Sequence, residues 1–135
     1  MLFLFDVDAT PRSVLEAVMT GHGIKGFLTT VAEVPTGVGE TLQLGFAAAP
    51  APFDLRIEES DERVVNWRTE TFPPHWVGTS IRWEIDARDG GTVVGFRHVG
   101  FAGDVGAGHT ACTGGQIMVQ LTRYTETGVR DPVFS

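Results

Sequence analysis

From about residue 30 to residue 101, apolar and polar side chains alternate with a period of two, in run after run. Leu42, Leu44 and Phe46 alternate with Gln43 and Gly45, and Phe53, Leu55 and Ile57 with Asp54, Arg56 and Glu58. Val65, Trp67 and Thr69 alternate with Asn66 and Arg68. Ile81, Trp83 and Ile85 alternate with Arg82, Glu84 and Asp86, and Val94, Phe96 and His98 with Gly95 and Arg97. Successive side chains of a strand point to opposite faces, so the pattern predicts an antiparallel sheet with one face covered and the other in water.

The connections predict that the sheet has two unlike ends. Pro35-Thr36-Gly37-Val38-Gly39, Ser60-Asp61-Glu62 and Asp89-Gly90-Gly91 have the composition of tight hairpin turns. The connections between them are longer, rich in proline and partly apolar. In a meander, alternate connections lie at the same end. One end should therefore close with compact polar turns. The other should carry Ala48-Ala49-Pro50-Ala51-Pro52, Phe72-Pro73-Pro74-His75 and the glycine-rich residues 100–108, a loose apolar rim around a mouth.

Helices flank this region. After a strand with Phe3, Phe5 and Val7 on one face, Thr10-Pro11 supplies a hydroxyl N-cap and a proline at the first helical position. Val14, Leu15, Val18 and Met19 form the apolar stripe of a short helix, which Gly21 and Gly23 are expected to stop. Ile24, Phe27 and Leu28 suit a second helix of barely two turns. Ile117, Met118, Leu121 and Tyr124 mark a last helix ending at Gly128. Thr113-x-x-Gln116 matches a capping box and would start that helix there, with Gly114 and Gly115 in its first turn. A helix laid over one face of the sheet would bury both apolar surfaces.

A chain of 135 residues suits one domain, residues 1–135, able to bury a core without disulfides or a structural metal. Ten Lys plus Arg against seventeen Asp plus Glu give a net charge of -7, a field that repels phosphate. Neither nucleic acid nor an anionic membrane is therefore an expected partner. Met1-Leu2-Phe3-Leu4-Phe5 meets Asp6 before it reaches signal-peptide length, and no apolar run approaches the ~18 residues of a membrane span. The expected compartment is the cytoplasm.

The candidate chemistry is sparse. Cys112 excludes an internal disulfide, and with His109 three residues before it reads as a small residue under a helix rather than a nucleophile. His22, His75, His98 and His109 contain no i,i+4 pair, so no metal site is expected, and no cofactor. Gly103-x-x-Gly106-x-Gly108 lacks the Lys-Ser/Thr of a phosphate loop and reads as a rim. Asp54, Glu58, Glu84 and Asp86 fall on the polar parity, a solvated face. His98 is the exception, because its parity puts a polar ring on the covered face. There it must find a hydrogen-bond partner or orient a ligand. Trp67, Trp83, Phe46, Phe53 and Phe96 share that parity. The candidate ligand-binding residues are Phe46, Trp67, His75, Trp83, Phe96, His98, Met118 and Tyr124; no catalytic residue is assigned.

The order strand, two short helices, six-stranded meander, long helix resembles the helix-grip fold. The residues that carry the resemblance are Asp8-Ala9-Thr10-Pro11 leading into Val14, Trp67, and Trp76-x-Gly78-Thr79-x-Ile81. Gly91-Thr92-x-Val94-x-Phe96-x-His98-x-Gly100-Phe101 and Leu121-x-x-Tyr124-x-Glu126-Thr127-Gly128 complete them. Together they look like the SRPBCC/START-like (Bet v 1-like) superfamily, in its branch similar to the C-terminal domain of the activator of Hsp90 ATPase. The resemblance implies an α+β fold, a curved antiparallel sheet wrapped around a long C-terminal helix that begins near residues 104–109, before the capping box. Such proteins often carry tryptophan early in that helix, where this chain has Gly114. The function implied first is binding of an apolar, aromatic or lipid-like small molecule between sheet and helix. A second reading is a cyclase/aromatase or hydrolase-like enzyme using His98 and Tyr124, with His75. A third is a co-regulator of an Hsp90-type chaperone, and a homodimer is left open.

Overall fold

The computed structural model describes residues 2–35, 37–46, 50–72, 74–99 and 107–134, with backbone alone for Leu2, His75 and residues 107–114. Strand β1 (Leu2–Val7) leads into helices α1 (Pro11–Met19) and α2 (Gly21–Phe27). Six strands follow: β2 (Val31–Glu33), β3 (Thr41–Gly45), β4 (Phe53–Ser60), β5 (Val64–Thr69), β6 (Ser80–Arg88) and β7 (Gly91–Val99). Helix α3 (Ala107–Thr127) comes last. The strands make one antiparallel sheet in the order β1-β7-β6-β5-β4-β3-β2, a meander with the first strand laid beside the last. This is the predicted α+β architecture.

Parity predicts burial along most of the sheet. Leu42, Leu55, Trp67, Trp83 and Ile85 are buried, and so are Val14, Val18, Ile24 and Phe27 of the helix pair and Met118 and Leu121 of α3. The alternation breaks where the β4–β5 register slips between Ile57 and Glu59 and leaves Glu58 and Glu59 both exposed, and again opposite in β5, where Asn66 is buried between Val65 and Trp67. On the outer face, charges meet across strands: Arg97 with Glu84 at 2.7 Å, Arg63 with Asp86 at 2.9 Å, Arg82 with Glu59 at 3.1 Å, and Arg88 with Asp6. Each exposed pair contributes under about 1 kcal/mol, so their main effect is to keep this face wet.

The helix pair corrects one expectation. Gly21 and Gly23 do not stop α1; they form the first turn of α2. Thr20 provides the break. Its extended backbone sends its N–H back to the Glu16 carbonyl, and its Oγ1 accepts from the Gly23 N–H at 2.9 Å. One residue thus caps two helices. Gly23 is there for close approach, since a Cβ would lie 2.5 Å from Ala17 backbone atoms.

Helix α3 starts at Ala107, within residues 104–109, so Thr113 and Gln116 lie inside it and form no start. It ends as expected at Gly128, with φ +77° and an N–H donated to the Tyr124 carbonyl at 2.8 Å. Beyond it the chain doubles back, a segment to which the sequence reading assigns no structure. The N–H groups of Asp131, Val133 and Phe134 donate to the carbonyls of Gly26, Phe27 and Leu28 at 3.1, 3.1 and 2.9 Å. Thr29 and Phe134 form a parallel bridge. No helix among the described residues is long and apolar enough to cross a membrane.

Candidate functional site

The residues singled out by sequence fall into three groups. Trp67, Trp83 and Phe96 form a continuous aromatic row on the inner face, with ring centroids 5.7 Å apart for Trp67–Trp83 and 4.7 Å for Trp83–Phe96. Phe27 of α2 meets Trp83 edge-on at 6.1 Å, and Phe3 of β1 extends the row beyond Phe96 at 6.3 Å. Met118 is fully buried in the same core. The Trp83 indole N–H is buried and has no acceptor among the described residues, an unusual state for a donor that strong.

His98 and Phe46 belong to the end of the sheet where the long connections lie. His98 is 1% exposed, and its Nε2 lies 2.8 Å from the Thr79 hydroxyl, which is itself 3.5 Å from the Thr69 hydroxyl. Three buried polar side chains thus form a line inside an apolar face. The His98 ring stands edge-on to Trp76 at 4.5 Å, Trp76 meets Phe53 at 5.2 Å, and Phe53 meets Phe46 at 4.5 Å. Phe72 and Phe134 close on this cluster against Phe53 and Phe46. Trp76 lies on a 3-10 turn (Pro74–Trp76) ahead of β6. His75 lies on the same turn, its side chain outside the described residues, as are those of His109 and Cys112 on α3 and the whole of residues 100–106.

Tyr124 stands apart from both groups. Its ring covers Gly26 of α2 so closely that a Cβ there would lie 2.6 Å from Cε1. Its hydroxyl accepts from Arg130 at 3.4 Å, with the guanidinium 5.6 Å above the ring. Arg130 also lies 3.0 Å from His22 Nε2 and donates to the His22 carbonyl at 2.9 Å. His98 faces Thr79 and Tyr124 faces Arg130, so the proposed acid–base pair has two different sets of partners.

Asp54 corrects a second expectation. Its carboxylate does not simply face solvent; it reaches from β4 to the next connection. It accepts from the N–H groups of Thr71 and Phe72, each at 3.0 Å, and from the Thr71 hydroxyl. Partial burial pushes its pKa up, but these hydrogen bonds outweigh that and hold it below the ordinary carboxylate value. The carboxylate therefore pins the base of the aromatic loop.

The sequence reading missed an open groove beside the first strand. A groove of about 690 Å³ lies between the edge of the sheet and α3. Phe3 and Phe5 of β1 form one wall, and Gly115, Gln116, Val119 and Gln120 of α3 another. Asp131, Pro132 and Val133 of the returning segment form the third. That volume lies within the few hundred to about 1,000 Å³ typical of small-molecule pockets. The inward parity of Phe3 and Phe5 is legible in sequence, but the contribution of residues 131–133 is not. None of the predicted ligand-binding residues is among those that line it; Phe96 packs against Phe3 of its wall.

No protein-family model matches this chain, and no curated protein matches it in sequence. Solved structures do match. The Aha1 dimer from Colwellia psychrerythraea superposes with a TM-score of 0.81 at 21% identity, over 95% of this chain and 96% of that one. The AHSA1-like protein from Aeromonas hydrophila gives 0.70 at 16% identity, over 95% and 94%. DynU16, a putative protein of the dynemicin biosynthetic locus, gives 0.77 at 18% identity over 96% of this chain and 48% of its own. The chain has the helix-grip fold of the AHSA1-like proteins, at identities that carry the fold alone.

Proposed function

We propose that this protein binds a small apolar or aromatic molecule between the sheet and α3. The observation that carries the reading is the groove: an opening of ligand size, walled by Phe3, Phe5, Val119 and Pro132 with Gln116, Gln120 and Asp131 as the polar minority. Few placed polar groups in a mostly apolar concavity is the usual make-up of such sites. Behind this wall Phe3 leads through Phe96 to Trp83, whose buried N–H has no acceptor among the described residues. Phe46, Trp67, His75, His98, Met118 and Tyr124 complete the proposed set, with His98 orienting a ligand hydroxyl or carboxylate. A binder is favoured over an acid–base enzyme because His98 and Tyr124 engage separate partners.

The test is a fluorescence and thermal-shift screen over phenols, aromatic acids, fatty acids and flavonoid-like compounds. It is run on the wild type, on Val119→Glu in the groove and on His98→Ala. A ligand at a hundredfold excess over its Kd should add about 2.7 kcal/mol of stability. Val119→Glu should weaken every ligand, since Val119 is 54% exposed and a charge there leaves the fold intact. His98→Ala should weaken hydroxyl- or carboxylate-bearing ligands by about 0.5–1.5 kcal/mol and spare those without polar atoms. Absence of any sub-millimolar ligand for the wild type, or unchanged affinity in Val119→Glu, would overturn the reading.

A further inference from the structure

The segment that follows α3 is built as a removable wall. We infer that residues 129–134 form a strap that opens as a unit and gates the groove; its purpose rests on the ligand reading above, its existence does not. The strap forms one side of the groove through Asp131, Pro132 and Val133. It is held by backbone hydrogen bonds from Asp131, Val133 and Phe134 to the carbonyls of Gly26, Phe27 and Leu28, at the end of α2. Those carbonyls have no partner within a helix that ends there, so the strap supplies a C-terminal cap to a helix of seven residues.

Side chains hold the strap chiefly at its two ends; between them one exposed pair, Arg123 of α3 with Asp131 at 3.5 Å, spans to its middle, which lines the groove. At one end Arg130 reaches the His22 ring and carbonyl and the Tyr124 hydroxyl, all on the surface. At the other, Phe134 packs edge-on against Phe46 at 4.9 Å. Val129 and Asp131 are exposed, and Pro132, Val133 and Phe134 are only half-buried. Few buried contacts with many surface hydrogen bonds is the signature of a segment that opens well below global unfolding. Opening would widen the groove from the α2 side and release only exposed contacts to α3, those of Arg130 with Tyr124 and of Asp131 with Arg123. The anchors at either end make the movement cooperative rather than a fraying that advances residue by residue.

Amide hydrogen exchange on the ligand-free full chain tests this directly, with Arg130→Ala and Phe134→Ala as variants at opposite anchors. Each variant should speed exchange at Asp131 and Val133 by one common factor of about five, the scale of a lost surface contact, with the β6–β7 amides unchanged. Unequal factors that decay away from the mutated end would mean fraying, and equal acceleration of the β6–β7 amides would mean global unfolding; either overturns the strap. With any compound that binds in the screen, Arg130→Ala should raise association and dissociation rates together by about that factor and move Kd less than twofold. A rise in dissociation alone would make Arg130 a mere contact and the strap no gate. If no compound binds, the ligand reading falls while the exchange data still decide whether the strap opens as a unit.

Discussion

The two ends of the sheet are closed by different means. At the hairpin end, short-range backbone geometry suffices: Gly39 and Gly90 take φ of +89° and +78°, and the Asp61 carboxylate accepts from the N–H groups of Arg63 and Val64 at 2.8 and 2.9 Å. At the other end side chains distant in sequence meet. Trp76 lies on His98 and Phe53, Phe46 on Phe134, and Asp54 holds Thr71 and Phe72. A hairpin turn has most of the residues it needs within a few positions. The aromatic end exists only once the fold is made, and it is therefore the end whose packing a bound molecule or a moving strap can change.

The sharpest way to break this contrast is Trp76→Ala. It should cost about 2–3 kcal/mol in denaturant unfolding, less than a fully buried tryptophan because the ring is only half-buried. A cost no greater than that of a turn substitution would mean that the aromatic end is not a packed unit. Asp54→Ala should come next, at about 1–2 kcal/mol for lost hydrogen bonds to a partly exposed carboxylate. Its pH dependence carries a sign. The folded carboxyl sits below its ordinary value, so its stabilisation is present above that value and is lost as pH falls through the lowered one. The gap between wild type and Asp54→Ala should stay level through neutral pH and close under acid titration; a gap that widens in acid would contradict the hydrogen bonding described. The smallest effect is expected from Gly90→Ala, about 1 kcal/mol, because a Cβ there meets nothing within 4 Å and only the positive φ is strained. Gly90→Ala and polar substitutions in residues 60–62 should leave ligand affinity unchanged, whereas Phe72 or His75 substitutions should alter it. Equal sensitivity at both ends would erase the distinction.

Much of the fold was legible because strand alternation is a local signal. The meander, its turns and the inward sets around Trp67, Trp83 and Phe96 all follow from it. What it cannot show is distance beyond the strand. Asp54 has the parity of a solvated residue, yet it lies one residue into β4, within reach of the connection after β5. The capping-box pattern at Thr113 and Gln116 was overridden because the helix had already begun at Ala107. Parity places Trp67 and Met118 inward, and both are buried. The open groove depends instead on where residues 131–133 land, and in sequence only the apolar Val133 and Phe134 after a helix-ending glycine hint that they dock at all.

The β1–β7 pairing has a consequence for the order in which the molecule is assembled. Val7 pairs with Thr92 and Leu2 with Arg97, while every other strand pairs with its neighbour in sequence. Contacts that close long loops form late, since their entropy must be lost before they stabilise anything. The groove is made of β1, α3 and the strap, pieces from opposite ends of the chain with the meander between them. Folding can therefore complete the meander while the groove is still unformed. A compound that binds there would act on the last step, by slowing unfolding more than it speeds folding.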